Sequence, residues 1–214
     1  MAQITSGIRS ILSHPFVYQF FQELMGARSM RRTFSNEYIR AQPGIKVLDI
    51  GCGPAHILEH LSPKVQYWGF DISKQYINFA RSRHGSRGHF HSKSFEEGDL
   101  AILPPMDVAV ATGLFHHLDN KTAIELLGLV HRALKPTGRL VTLDGVFAKG
   151  QNPIARWLIS KDRGQHVRTG PEYSALFAKF FSNSEVRIWH RRWLPYTYCL
   201  TECRKSSHPV EAPR

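Results

Sequence analysis

The sequence predicts an α/β protein built on a mostly parallel sheet, and three observations carry that prediction. Short apolar runs at residues 45–50, 65–70, 88–93, 107–112 and 139–144 alternate with helical patterns. Strands that alternate with helices form a parallel sheet through right-handed crossovers. The first run closes on Asp49-Ile50-Gly51-Cys52-Gly53-Pro54, and the second closes on Asp71. Near the end, residues 185–193 and 196–203 are two extended runs joined through Leu194-Pro195, the spacing of an antiparallel hairpin. The expected fold is therefore a mostly parallel sheet that ends in an antiparallel hairpin.

Each element has its own local reason. Pro15 follows Ser13-His14, a helix start, and Phe16, Phe20, Phe21 and Leu24 then recur at helical spacing. Gly26 ends that stretch, and a second one is expected over residues 30–40. Pro43-Gly44 separates this N-terminal helical cap, residues 1–44, from the sheet domain, residues 45–203. A helix over residues 54–61 follows the glycine turn. Ser73 is the expected N-cap of the next helix, with Tyr76, Ile77 and Ala80 on its inner face. Residues 94–105 are poorly periodic and read as a loop. Asp119 caps a helix whose Ala123, Leu127, Val130 and Leu134 share one face, and Lys135-Pro136-Thr137-Gly138 stops it. Residues 204–214 read as a disordered tail.

Composition excludes several classes. At 214 residues with 42% hydrophobic and 21% charged content, the chain matches a soluble globular domain able to bury its own core. No apolar stretch is long enough to span a bilayer, and three cysteines fit a reducing compartment, so a cytoplasmic location is expected. Cys199 and Cys203 share one strand face about 13 Å apart, too far for a disulfide. No Cys or His spacing has the character of a metal site. The net charge of +11 is uneven: residues 45–144 carry 11 Lys/Arg against 10 Asp/Glu, whereas residues 145–214 carry 12 against 5. A basic flank favours an anionic partner.

The glycine turn narrows the ligand. Glycines let a backbone approach a ligand closely, and an acid at the second strand tip accepts hydrogen bonds from a ribose diol. Asp49 stands two residues before Gly51, where it would repel a pyrophosphate, and His56 replaces the third glycine of a dinucleotide loop. A nucleoside carrying an ammonium group suits this turn better.

Leu48-Asp49-Ile50-Gly51-Cys52-Gly53-Pro54, with Asp71 ending the next strand, closely resembles the first two motifs of the class I S-adenosylmethionine (SAM)-dependent methyltransferases. The segment Thr112-Gly113-Leu114-Phe115-His116-His117-Leu118 is similar to their quinone-biosynthesis type. The resemblance implies a Rossmann-like fold, a seven-stranded mostly parallel sheet with one antiparallel strand and helices on both faces, and SAM as cofactor. Asp49, Gly51, Cys52 and Gly53 would lie at its methionine part, Asp71 at the ribose and Ile72 at the adenine, with Ala111 at the tip of strand four. Ser94 and Phe95 occupy the place where the family often has an adenine-reading acid. His116, His117 and Asp144 are the candidates for a base, each balanced against a structural role. Tyr18, Arg163, Arg168 and Tyr173 are the candidates for gripping an acceptor, with Arg32 the alternative to Tyr18 as the residue that a lid turns toward the site. The expected acceptor is a small molecule, lipid or glycan, anionic and methylated on oxygen. Nucleic acid is the rival acceptor, disfavoured because no Asn/Asp-Pro-Pro-aromatic motif follows strand four. A silent SAM-binding subunit is the other alternative.

Overall fold

The structure, a computed structural model, describes residues 27–161, 164–190 and 196–205. The described residues form eight strands: β1 Lys46–Ile50, β2 Gln66–Phe70, β3 His89–His91, β4 Met106–Thr112, β5 Leu134–Phe147, β6 Arg168–Thr169, β7 Asn183–His190 and β8 Thr197–Arg204. Seven of them form one path in the order β3-β2-β1-β4-β5-β8-β7, and β6 pairs with the end of β5. The strand count is thus eight where seven were expected. The additional strand is a two-residue parallel pairing, Val146 with Arg168 and Phe147 with Thr169. β8 alone runs against the path, antiparallel to both β5 and β7.

Two apolar layers cover the sheet. On one face lie α3 (Asn120–Ala133) and α5 (Gly170–Phe177), burying Leu127, Val130, Leu176 and Phe177 against Leu48, Ile50, Ala109 and Leu140. On the other lie α1 (Ala27–Thr33) with the π turn Phe34–Ile39 that prolongs it, the 3-10 turn His56–His60, and α2 (Lys74–His84). Phe34, Leu58, Ile77 and Ala80 there meet Val47, Tyr67, Val108 and Val141. A further helix, α4 (Pro153–Ser160), packs on β5 and β8 through Ala155 and Ile159. Capping follows the expected residues: Asp119 accepts from the Thr122 amide at 2.8 Å and Ser73 from the Tyr76 amide at 3.3 Å.

Local departures have local causes. The expected helix over residues 54–61 shrinks to the 3-10 turn His56–His60, because Ala55 takes a left-handed φ of 56° and Leu61 is extended. Residues 97–101 of the expected loop wind into a 3-10 turn closed by a Glu96–Asp99 capping box. The Lys135–Gly138 stop is absorbed into β5 as a bulge: Leu134 pairs with Met106, then Arg139 with Val108. Gly138 permits this, since a Cβ there would lie 3.0 Å from the Met106 carbonyl oxygen. Two residues of the expected tail, Arg204 and Lys205, are held by the sheet. Arg204 still pairs in β8, and the Lys205 amide donates to the Gly138 carbonyl at 3.0 Å. The aromatic stretch at residues 16–24 and the hairpin link Leu194-Pro195 lie outside the described residues. No helix among the described residues is long and apolar enough to cross a membrane.

Candidate active site

Strand order reverses between β1 and β4, and the crevice outside the carboxyl ends of such strands is where open α/β sheets bind ligands. The turn after β1 folds back over the tip of β2: the Gly51 and Cys52 amides both donate to the Phe70 carbonyl, at 2.8 and 3.1 Å. Gly51 and Gly53 hold left-handed φ values of 70° and 53°. The loop after β4 crowds Gly51, where a Cβ would meet Leu114 at 3.2 Å, while the space around Gly53 is open.

Asp71 closes the turn. Its Oδ2 accepts from the Gly53 amide at 2.9 Å and its Oδ1 from the Ser73 amide at 2.7 Å. A carboxylate has about four acceptor positions, so about two remain for a ligand. Ile72, next in the chain, is 54% exposed and offers an apolar surface beside it.

Asp49 lies deeper. It is 3% exposed, and its Oδ2 accepts from the Tyr67 hydroxyl at 2.6 Å. Burial pushes its carboxyl up to about 7, against the pull of the Tyr67 hydrogen bond and with a smaller push from Asp71. Cys52 is half-buried over Gly69, and burial raises its thiol. Tyr67 escaped the sequence reading. Period-two pairing of β1 with β2 was the available signal, because it sets Tyr67 on the same face as Asp49.

The remaining cofactor candidates divide. Ser94 is exposed. The Phe95 ring is 4% exposed and packs edge-on against Phe70, centroids 5.3 Å apart, which leaves its backbone to face a ligand. Ala111 likewise turns its methyl into the core. Among the acids after β3, Asp99 pairs with Lys93 at 2.6 Å and accepts from the Glu96 amide at 2.9 Å.

At the rims of β4 and β5, His116 and Asp144 come together. One oxygen, Asp144 Oδ1, accepts from the His116 amide at 3.2 Å and meets His116 Nδ1 at 2.9 Å. Asp144 is 1% exposed, and its Oδ2 has no hydrogen-bond partner among the described residues. His117 is half-buried, its ring 4.2 Å from that of His116. Residues 164–168 lock this turn from outside. Gly164 lies so close that a Cβ would stand 2.1 Å from the His116 ring, and the His166 amide donates to the His116 carbonyl at 3.0 Å.

Arg168 and Tyr173 are corrections to the acceptor-gripping set. Arg168 donates to the carbonyls of Phe115 (2.7 Å), Leu118 (2.8 Å) and His166 (3.1 Å), and twice to Asn120 Oδ1. Its fork is spent inside the protein because the bent turn after β4 leaves several carbonyls pointing inward. Tyr173 is 1% exposed, donates to the Gly145 carbonyl at 3.1 Å and lies under the Arg168 guanidinium. Arg168→Ala is therefore expected to cost at least about 2 kcal/mol through orphaned carbonyls, a fall in Tm of at least about 4 °C by calorimetry. Tyr18 and Arg163 lie outside the described residues. Arg32 is exposed and lines, with Arg28, Ser29 and His60, a depression of about 500 Å³. No cluster of three His, Cys, Asp or Glu among the described residues is placed to hold a metal.

The chain is similar to known methyltransferases. A family model described as a methyltransferase domain matches residues 48–140, from the first acid-glycine turn into β5. The chain is 27% identical over 150 residues to the ubiquinone/menaquinone biosynthesis C-methyltransferase UbiE of Shewanella baltica, covering 65% of this chain and 58% of that protein. It is 32% identical over 115 residues to the O-methyltransferase cnsE of Penicillium expansum, covering 50% and 41%. The chain thus spans less than two thirds of the length of these curated relatives. A SAM-dependent methyltransferase of Archaeoglobus fulgidus shares the fold with a TM-score of 0.68 at 19% identity, over 89% of this chain and all of that one.

Proposed function

Because this chain belongs to the class I SAM-dependent methyltransferases, we propose that it methylates a small acceptor at a hydroxyl oxygen. The observation that carries the reading is the closed glycine turn, with Asp71 bridging it to the tip of β2. The residues fit SAM on three counts: open space at Gly53, unspent acceptor positions on Asp71, and the exposed Ile72 beside them. When bound, SAM supplies a methyl carbon on a positively charged sulfur.

The chain's own groups do the rest. Asp71 accepts from the ribose hydroxyls, and Ile72 covers one face of the adenine. Ser94 and the Phe95 backbone lie at the adenine edge, and the Ala111 backbone forms the floor at the tip of β4. Asp49 answers the ammonium. Holding donor and acceptor in line contributes several kcal/mol of barrier lowering. His116, oriented by Asp144 at its Nδ1, acts as the base for the hydroxyl proton, and such a base adds about 10²–10⁴-fold. His117 packs on it as a second imidazole at the rim. Residues 45–203 act as the methyltransferase domain and residues 1–44 as its cap, in the cytoplasm, where three thiols stay reduced.

Relatives named for both O- and C-methyl transfer support a small-molecule acceptor. The +7 balance of residues 145–214 supports an anionic one. The deciding experiment supplies SAM labelled on the methyl group, purified protein and an extract of the source cells. Label in a small metabolite with an O-methyl group is the expected outcome. Label in RNA or on carbon overturns the acceptor assignment, and SAM binding without transfer to any fraction overturns the activity.

A further inference from the structure

Tyr67 sits beneath the glycine turn at a structural cost that space-filling does not explain. Its ring takes the volume that a Cβ on two neighbouring residues would need: 2.9 Å from such an atom on Gly69 and 2.8 Å on Gly88. Both neighbours are glycine, in and beside strands where glycine is unfavourable. The ring leans on Phe90, centroids 5.8 Å apart, and is 1% exposed. Its hydroxyl is buried with it and donates to Asp49 Oδ2 at 2.6 Å.

We propose that Tyr67 is a positioning residue for the methyl donor: its hydroxyl holds the Asp49 carboxylate charged and aimed for the donor's ammonium group. This rests on the reading of the turn as a SAM site. The titratable groups acting on Asp49 are Tyr67 from β2, Asp71 beyond β2 and Cys52 in the turn. β4 places Val110 in register with it. The 3-10 turn and α2 contribute Leu58, Ile77 and Ala80 to the same layer, while their His56, Glu59 and Arg83 pair with one another.

The sign follows from the chemistry. A protonated Asp49 has no charge for an ammonium, and an ionised one does. Burial raises this carboxyl from 3.8 to about 7, so donor affinity rises with pH through about 7, until the donor's own ammonium begins to lose its proton near ~8. The same shift means that the ligand-free fold loses stability as pH climbs from about 4 to 7, where the unfolded chain has already released that proton. The Tyr67 hydrogen bond favours the ionised form, so its loss moves the midpoint upward.

The test is SAM binding by calorimetry at pH 6, 7 and 8, with wild type, Tyr67→Phe, Asp49→Asn and the double variant. The affinity midpoint of Tyr67→Phe is expected to move up by about one pH unit. Its Kd relative to wild type is then about tenfold weaker at pH 6, about fivefold at pH 7 and about twofold at pH 8. The donor's own amino group titrates near ~8 in every variant and cancels in the ratio. Asp49→Asn should flatten the pH dependence and make Tyr67→Phe silent. A ratio that is unity, or equal at all three pH values, overturns the role and leaves the SAM site standing. Failure of wild type to bind SAM at any pH overturns the site and the role together. If Tyr67→Phe does not fold, fluorotyrosine in place of all tyrosines strengthens the donor and should lower the wild-type midpoint. An unmoved midpoint overturns the role.

Discussion

Asp71→Ala is expected to weaken SAM binding by between about tenfold and about 10⁴-fold. The estimate counts one to two charged hydrogen bonds to the ribose at about 1.5–3 kcal/mol each. The substitution also strips the Gly53 and Ser73 amides of their acceptors, so the turn itself loosens. Asp71→Asn separates the two effects. The amide keeps one carbonyl oxygen for the Gly53 amide but lacks the charge and half the acceptor positions, and should fall between wild type and alanine. Calorimetry of SAM into each protein reads the Kd. An unchanged affinity in Asp71→Ala would end the ribose assignment.

His116→Asn and Asp144→Asn should each lower kcat by about 10²–10⁴-fold while leaving the Kd for SAM within about threefold. Asp144→Asn is the sharper of the two. An asparagine Oδ1 can still accept from the His116 amide and from Nδ1, so the loop after β4 keeps its anchor. What it loses is the negative charge that stabilises a protonated imidazole. If the pair is only a strut, Asp144→Asn will turn over at the wild-type rate; if it holds a base, the rate falls although the Tm does not. The readout is single-turnover methyl transfer to the acceptor found with labelled donor, alongside a thermal melt.

Arg168 shows why composition misleads about loops. A charged segment dense in arginine reads as a ligand clamp, since guanidinium forks suit carboxylates and phosphates. The sharp turn over residues 115–118 instead presents inward carbonyls that require donors, and Arg168 is the donor that reaches them. Tyr173 is taken up in the same way, by the Gly145 carbonyl. Phe95 follows strand three, where its ring fills the core against Phe70 and only its backbone faces outward. A hydrophobic side chain next to a site is drawn inward whenever the layer beneath has room for it.

The sequence by itself determined the strand–helix alternation, the closing hairpin, the caps at Ser73 and Asp119, and the acids at the tips of strands one and two. These are written in local periodicity and turn chemistry, interactions between residues a few positions apart. Only the tertiary structure decided which polar side chains remain for a ligand. It brought Tyr67 under Asp49 across the β1–β2 register, tied His116 to Asp144 across 28 residues and spent Arg168 on carbonyls about 50 residues away. Burial and partnership depend on contacts between distant segments, and no local pattern along the chain encodes them.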